Sequence, residues 1–259
     1  MPVDTAVILA AGQGKRLLPL TQTIPKSLIP IAQTTILDHI LQNLSRSGIE
    51  HVAIVIGYLG NVIRQRIGIH YRGLQVTFLE NPLYGYANNL ASLWYAQAFF
   101  YSDILLLEGD TFLEEGILPD LASCPHQNAM AVDRLNPNLM YSPLVSLDNS
   151  GLVDKMILDW EPEKYPNLDL SKVYKPVNAY KLSFDFLRQH LMPRLNLHFN
   201  LGLTADRYEV LIRDLLAEDA VRFAPVLTGQ RRWVDIDTHQ DLARAIQMFA
   251  DELELLKSK

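Results

Sequence analysis

Short apolar runs alternate with amphipathic stretches through the first half of the chain. Thr5–Leu9 (TAVIL) and His51–Ile56 (HVAIVI) are apolar and β-branched without alternation, the pattern of strands covered on both faces. Gln75–Leu79 and Asp103–Leu107 (DILLL) read as two further strands. Between them, Ile36, Leu37, Ile40, Leu41 and Leu44 repeat at helical spacing, with Thr34 or Thr35 placed to cap that helix and Gly48 to end it. Asn61–Ile67 predicts a short helix, and Asn88–Phe100 a longer one with Leu90, Leu93, Trp94 and Ala98 on one face. Strands and helices alternating at this spacing predict right-handed βαβ units, hence an α/β fold: a Rossmann-like, mixed but mostly parallel sheet flanked by helices.

The second half is less regular. Met130–Asp133, Leu144–Leu147, Val177–Leu182 and Arg222–Val226 predict strands, and Gly151–Trp160 a strand with a turn. Phe184–Leu191 and Tyr208–Ala217 predict helices, and Asp237–Leu256 a long C-terminal helix capped by Asp237 or Thr238. The loop-like Tyr165–Pro176 is placed to reach over a site. We expect a single domain over 1–259, with a less regular acceptor-side segment at about 134–200.

Composition narrows the class. The 259 residues are 49% hydrophobic and 20% charged, an ordinary globular balance. A formal charge of -6 and the lack of a basic run argue against a nucleic-acid partner. The single cysteine, Cys124, forms no disulfide within the chain. The start, Met-Pro-Val-Asp-Thr, lacks a basic region, and no apolar stretch reaches membrane-spanning length, so a cytoplasmic protein without a membrane span is expected. His126, His190, His198 and His239 lack metal-ligand spacing, which argues against zinc.

Candidate chemistry begins directly after the first strand. Leu9-Ala10-Ala11-Gly12-Gln13-Gly14-Lys15-Arg16 is a string of small residues and glycines opening onto two cations, and Ile24-Pro25-Lys26-Ser27-Leu28 follows. Small residues let the backbone approach a ligand, and glycines allow the dihedrals that turn successive amides toward phosphate oxygens. Arg16 and Lys26 then supply charge for a triphosphate and its leaving group. A Walker loop is excluded because Gly14-Lys15 is followed by Arg16, and a dinucleotide fingerprint because position 17 is Leu. The strand ends that this loop and Asp110 share are where open α/β sheets bind ligands.

The full string Leu9–Ile31 closely resembles the LAAGxGxRLxPLTxxxPKxLxPI signature of the sugar-phosphate nucleotidyltransferase superfamily. The resemblance implies a fold of the nucleotide-diphospho-sugar transferase type, and a nucleotide held by Leu9, Ala10, Ala11, Gly12, Gly14 and Lys15 with Arg16 and Lys26 at the phosphates. Ile56-Gly57-Tyr58 resembles the family's strand end near the base. Tyr84-Gly85-Tyr86-Ala87-Asn88-Asn89-Leu90-Ala91-Ser92-Leu93 resembles phosphocholine and 2-aminoethylphosphonate cytidylyltransferases, which places Tyr86, Asn88, Asn89 and Ser92 at the nucleotide. The paired amides have two readings: helix cap, or readers of a pyrimidine edge. Trp233-Val234-Asp235-Ile236-Asp237-Thr238 resembles the family's second acidic segment.

These resemblances imply magnesium held by Asp110 and Asp237, with Asp235 behind them and Glu108 orienting its neighbours. Mg²⁺ takes one or two carboxylates plus phosphate oxygens and water. An acceptor phosphate is already anionic, so positioning and electrostatics suffice without a general base. Lys175 is placed to meet that phosphate, while Tyr84, Tyr86, Tyr180 and Trp233 have two readings: aromatic faces for an ammonium group, or aromatic packing in the core. The expected reaction joins CTP to a small phosphate- or phosphonate-bearing acceptor, releasing pyrophosphate. The rivals are a sugar-1-phosphate enzyme using UTP or dTTP, and a non-catalytic nucleotide-binding subunit. A homodimer is compatible with the family.

Overall fold

The computed structural model describes residues 3–135, 143–166 and 168–250. In chain order its principal elements begin with β1 (Thr5–Ala10), α1 (Ile36–Arg46), β2 (His51–Ile56), α2 (Gly60–Ile67) and β3 (Leu74–Glu80). They continue with α3 (Asn89–Tyr95), β4 (Ile104–Glu108), β5 (Thr111–Leu113), α4 (Ile117–Ser123), β6 (Ala129–Arg134), β7 (Leu144–Leu147), β8 (Val153–Ile157) and β9 (Val173–Leu182). Last come α5 (Met192–Asn200), α6 (Tyr208–Ala217), β10 (Ala224–Leu227), β11 (Trp233–Asp235) and α7 (His239–Met248).

The sheet is mixed and mostly parallel at its centre, with helices on both faces. Its spatial order is β8-β7-β9-β4-β1-β2-β3, with β6 on the other side of β9 and β10 beside β6. The pairs β1–β2, β1–β4 and β2–β3 are parallel, as the unbroken apolar runs require. Alternate residues of β1 feed two cores: Ala6 and Ile8 pack under α1, while Val7 and Leu9 pack under α3 and α6. Thr35 caps α1 by accepting a hydrogen bond from the Asp38 amide at 3.1 Å, and the predicted stripe Ile36, Leu37, Ile40, Leu41 and Leu44 is buried.

Register positions the site. Leu9 of β1 stands opposite Glu108 of β4, so the loop after β1 and the Gly109–Asp110 turn emerge side by side. The Gly109 amide donates to the Leu9 carbonyl at 2.8 Å, closing that corner. The antiparallel β9 then borders β4, and its register against β6 shifts between Pro176 and Tyr180. Asn178 sits inside that irregularity with φ 52, a left-handed backbone that Asn tolerates better than most residues.

Several boundaries move. β9 begins at Val173 rather than Val177, so Lys175 lies within the strand instead of ahead of it. The helix expected over Asn88–Phe100 is α-helical for Asn89–Tyr95 and tightens to a 3-10 turn at Ala96–Phe99. The helix after Ser183 continues past Leu191 to Asn200, with a π segment at Leu187–Leu191. Thr238, not Asp237, caps α7, in a capping box with Asp241; residues 251–256 of the expected C-terminal helix fall outside the described residues. The short β5 and β11 pair with each other. No described helix is long and apolar enough to cross a membrane.

Candidate active site

A cavity of about 1300 Å³ opens at the carboxyl ends of β1 and β4. One wall is the phosphate loop, Leu9 through Arg16, with Lys26 and Ser27. Gly14 adopts φ 62, and an added Cβ would meet Thr21 at 3.0 Å and Lys26 at 3.2 Å, so glycine is needed here for both dihedral and space. Thr21 fastens the turn by donating its hydroxyl hydrogen to the Gly14 carbonyl at 2.9 Å.

The sequence's two cations and two aspartates meet at this loop. Lys26 Nζ lies 2.5 Å from Asp110 Oδ2 and 2.7 Å from Asp237 Oδ1, and the Arg16 guanidinium is 2.8 Å from that same Asp237 oxygen. Burial works against the Lys26 charge, but Asp110 and Asp237 outweigh it and hold its pKa above the usual lysine range. Burial likewise opposes the Asp237 charge, and Lys26 and Arg16 outweigh it to lower that pKa. Lys26 and Asp237 are therefore both charged at neutral pH. Among the described residues no group of three or more His, Cys, Asp and Glu is arranged to hold a metal ion. Asp110 and Asp237 instead supply two carboxylates to one point of positive charge.

Behind this centre lies a layer of acids, Glu209 buried and Glu108 and Asp235 half-buried. Asp235 accepts from Thr111 Oγ1 at 2.7 Å and from Asn178 Nδ2 at 3.2 Å, and burial followed by the Asp110 charge pushes its pKa up to about 6. Glu108 and Glu209 are both raised chiefly by burial. Asn89 joins them: its Nδ2 donates to Glu108 Oε1 at 2.9 Å and to Glu209 Oε2 at 3.2 Å, while its Oδ1 accepts from the Tyr208 amide at 3.0 Å.

That network corrects one expectation. Asn89 lines the cavity, but its amide is bonded to protein groups on both sides, so in this structure it ties α3 to β4 and α6 rather than presenting a free edge to a base. Asn88 is the cap, its Oδ1 accepting from the Asn89 amide at 2.8 Å, and it also lines the cavity. Ser92 lines the cavity too, largely buried and bonded by Asn81 Nδ2 at 3.0 Å. Tyr84 and Tyr86 line the cavity, Tyr86 with 73% of its surface exposed.

Four other predicted contacts do not reach the cavity. Gly57 serves packing: a Cβ there would fall 2.7 Å from Tyr84 Cβ and 2.9 Å from the Ala11 carbonyl. Tyr58 stands behind the loop, its amide on the Ala11 carbonyl at 3.1 Å and its hydroxyl on that of Gln22 at 3.4 Å. Tyr180 is fully buried, its ring packed edge-on against Tyr208 and Phe223, so it offers no face to an ammonium group. Trp233 donates its indole N–H to Asp133 at 2.7 Å and lines a separate cavity of about 310 Å³. Lys175 does line the main cavity; it is buried, its Nζ donates to the Pro143 carbonyl at 3.1 Å, and burial lowers its pKa to about 8.

Sequence reading missed Asn178, Arg207 and Glu209. Glu209 left a signal, since it falls on the buried stripe of α6 with Ile212 and Leu216, where a carboxylate is out of place. Asn178 interrupts an apolar strand in the same way. Arg207 precedes a helix in a polar stretch and left none.

A nucleotidyl transferase family model matches residues 5–132, which contain the phosphate loop, Asn89, Glu108 and Asp110. Residues 5–132 belong to the nucleotidyl transferase family. Over 96% of its length the chain is 30% identical to the CMP-5'-(3-aminopropyl)phosphonate synthase of Streptomyces rubellomurinus, of which it covers 39%. Over 44% of its length it is 34% identical to the 2-aminoethylphosphonate cytidylyltransferase of Lancefieldella rimae, covering 42% of that protein. The chain thus spans less than half the length of these two relatives. Its fold is that of the CTP:phosphocholine cytidylyltransferase from Streptococcus pneumoniae, with a TM-score of 0.72 at 17% identity over 96% of this chain and 100% of that one. A UDP-glucose pyrophosphorylase gives a TM-score of 0.77 at 14% identity over 96% and 99% of the two chains. The same backbone therefore serves different nucleotides, and the fold does not select among them.

Within the nucleotidyl transferase domain, the corner between β1 and β4 yields a direct prediction. A Cβ on Gly109 would meet Ala10 Cβ at 2.8 Å and the Leu9 carbonyl at 2.9 Å. Gly109→Ala is expected to destabilise the protein by about 1–3 kcal/mol, because two strand ends must separate to admit one methyl group. Urea unfolding of the two proteins measures this, and an unchanged midpoint would show that the corner is compliant.

Proposed function

We propose that the chain is a magnesium-dependent cytidylyltransferase that joins CMP to a small phosphate- or phosphonate-bearing acceptor and releases pyrophosphate. The observation that carries this reading is the convergence of Asp110 and Asp237 on Lys26, beside the Gly12–Arg16 turn, at the wall of a cavity large enough for a nucleotide and a second substrate. The preference for CTP and a phosphonate acceptor rests on the two phosphonate relatives.

The chain's residues suit the group transfer. The backbone of Ala10–Gly14 leaves room for a base and ribose and turns amides toward the phosphates. Arg16 and Lys26 are held on Asp237 and Asp110 beside the phosphate loop, and can pass to the β- and γ-phosphates of an incoming triphosphate. The carboxylates they leave fit Mg²⁺, a hard cation that takes one or two acidic ligands and completes its shell with phosphate oxygens and water. When bound, Mg²⁺ would neutralise charge on the reacting phosphates. An oxygen of the acceptor attacks the α-phosphorus, the bond to the β-phosphate oxygen breaks, and pyrophosphate leaves with the electron pair. The attacking group is already anionic, so Glu108, Glu209 and Asp235 are not needed as bases; they shape the wall. The segment at about 134–200 supplies the acceptor side through Lys175 and Asn178.

Pyrophosphate release should be measured with CTP, UTP and dTTP, each against 2-aminoethylphosphonate, phosphocholine and glucose 1-phosphate, with magnesium and with a chelator. Turnover is expected with CTP and a phosphonate or phosphocholine, and only with the metal. Turnover confined to glucose 1-phosphate with UTP or dTTP would overturn the reading in favour of a sugar-1-phosphate enzyme. Nucleotide binding without turnover would identify a non-catalytic subunit.

A further inference from the structure

Arg207 has no assigned task, yet it lines the main cavity. Among the described residues its guanidinium makes no hydrogen bond or ion pair, unlike Arg16, Lys26 and Arg244 in the same cavity, which are each held on an aspartate. Its backbone is not loose. The next residue's amide, that of Tyr208, is fastened to Asn89 Oδ1 at 3.0 Å, and three residues earlier the Thr204 carbonyl accepts from the Asn88 amide at 2.9 Å. The α3 wall therefore holds both flanks of Arg207.

Its electrostatic setting is unusual. Arg207 is close enough to Lys175 for its positive charge to help depress the lysine, after burial, and close enough to Glu209 to offset part of that carboxyl's burial. Two cations approaching each other in a concave, partly desolvated wall repel unless an anion joins them. Glu209 and Asp235 also face these cations, while their oxygens accept hydrogen bonds from Asn89 and from Thr111 and Asn178 respectively. An anion that entered the cavity beside them would meet both cations.

Transfer geometry selects the ligand. Displacement at the α-phosphorus places the attacking and leaving groups roughly in line, on opposite sides of the reacting atom. The cations for the leaving pyrophosphate come from the loop after β1, whereas Arg207 and Lys175 come from the α6 and β9 side of the cavity. We propose that Arg207 is a binding residue for the acceptor, its planar guanidinium gripping two oxygens of the acceptor's phosphonate or phosphate opposite the pyrophosphate cations. An arginine suits this task because its fork matches a tetrahedral anion in two parallel bonds and leaves the third oxygen turned toward the nucleotide.

This inference rests on the transferase reading, but binding tests it separately from turnover. The full 259-residue chain and its Arg207→Gln and Arg207→Lys variants are titrated calorimetrically, first with CTP alone, then with 2-aminoethylphosphonate on the CTP-loaded protein under chelator. Arg207→Gln is expected to weaken 2-aminoethylphosphonate binding by about tenfold or more and leave CTP affinity unchanged, and Arg207→Lys to recover part of the loss. If CTP affinity falls as much as acceptor affinity, Arg207 serves the nucleotide and the proposal is overturned. Unchanged 2-aminoethylphosphonate binding in Arg207→Gln, or no binding by the wild type, also overturns it. Arg207-dependent binding without turnover would instead defeat the proposed reaction and leave the clamp standing.

Discussion

Asp110→Ala is expected to lower kcat/KM by about three orders of magnitude or more while the protein remains folded. Both halves follow from the Lys26 geometry. Asp110 presents its Oδ2 to Lys26 Nζ at 2.5 Å, and in the proposed reaction that carboxylate would pass to Mg²⁺, so its loss removes one of two acidic ligands for the metal. The fold survives because Lys26, whose side chain is 13% exposed, keeps Asp237 at 2.7 Å and is not left as a buried, unpaired cation. Removing the lysine instead would leave two aspartates facing each other, a harsher change. Turnover of Asp110→Ala and Asp110→Asn, with thermal unfolding of both, measures the effect. Retention of more than about a tenth of the wild-type rate in a folded variant would remove Asp110 from the catalytic centre.

Asn89→Asp is expected to destabilise the protein by about 3 kcal/mol or more. The substitution is isosteric and keeps an oxygen for the Tyr208 amide. It also turns the Nδ2 that donates at 2.9 and 3.2 Å to Glu108 and Glu209 into an acceptor, so three carboxyls share a buried space with no donor between them. A new aspartate in the first turn of α3 gains about 0.3–1 kcal/mol from the helix dipole, too little to compensate. The deficit should depend on pH. Burial already raises Glu108 and Glu209, and it will raise the introduced carboxyl too. A group whose pKa is raised on folding binds its proton more readily folded than unfolded, so stability is lost as pH rises through the folded value and regained as pH falls. Urea unfolding at about pH 8 and about pH 5 should show the larger deficit at the higher pH. Equal deficits would mean that the loss comes from altered packing and not from buried charge.

The sequence by itself determined the scaffold of the site. β1, β2 and β4 were readable because strands buried on both faces must be continuously apolar, and α1 because its apolar stripe, threonine cap and terminal glycine are all local signals. Gly14, Arg16, Lys26, Asp110 and Asp237 were identified as one centre across 211 positions of separation between Lys26 and Asp237, since a contiguous signature named the loop and each aspartate closed a strand-like run. Only the tertiary structure decided which polar groups face a ligand and which face one another. Asn89 read as a base contact until β4 and α6 were seen to take up both ends of its amide. Tyr180 and Trp233 read as aromatic faces until packing placed one in the core and the other in a separate cavity. Arg207 could not be singled out at all, because its neighbours Lys175 and Asn89 are 32 and 118 positions away, and the direction of a side chain depends on contacts that local pattern does not encode.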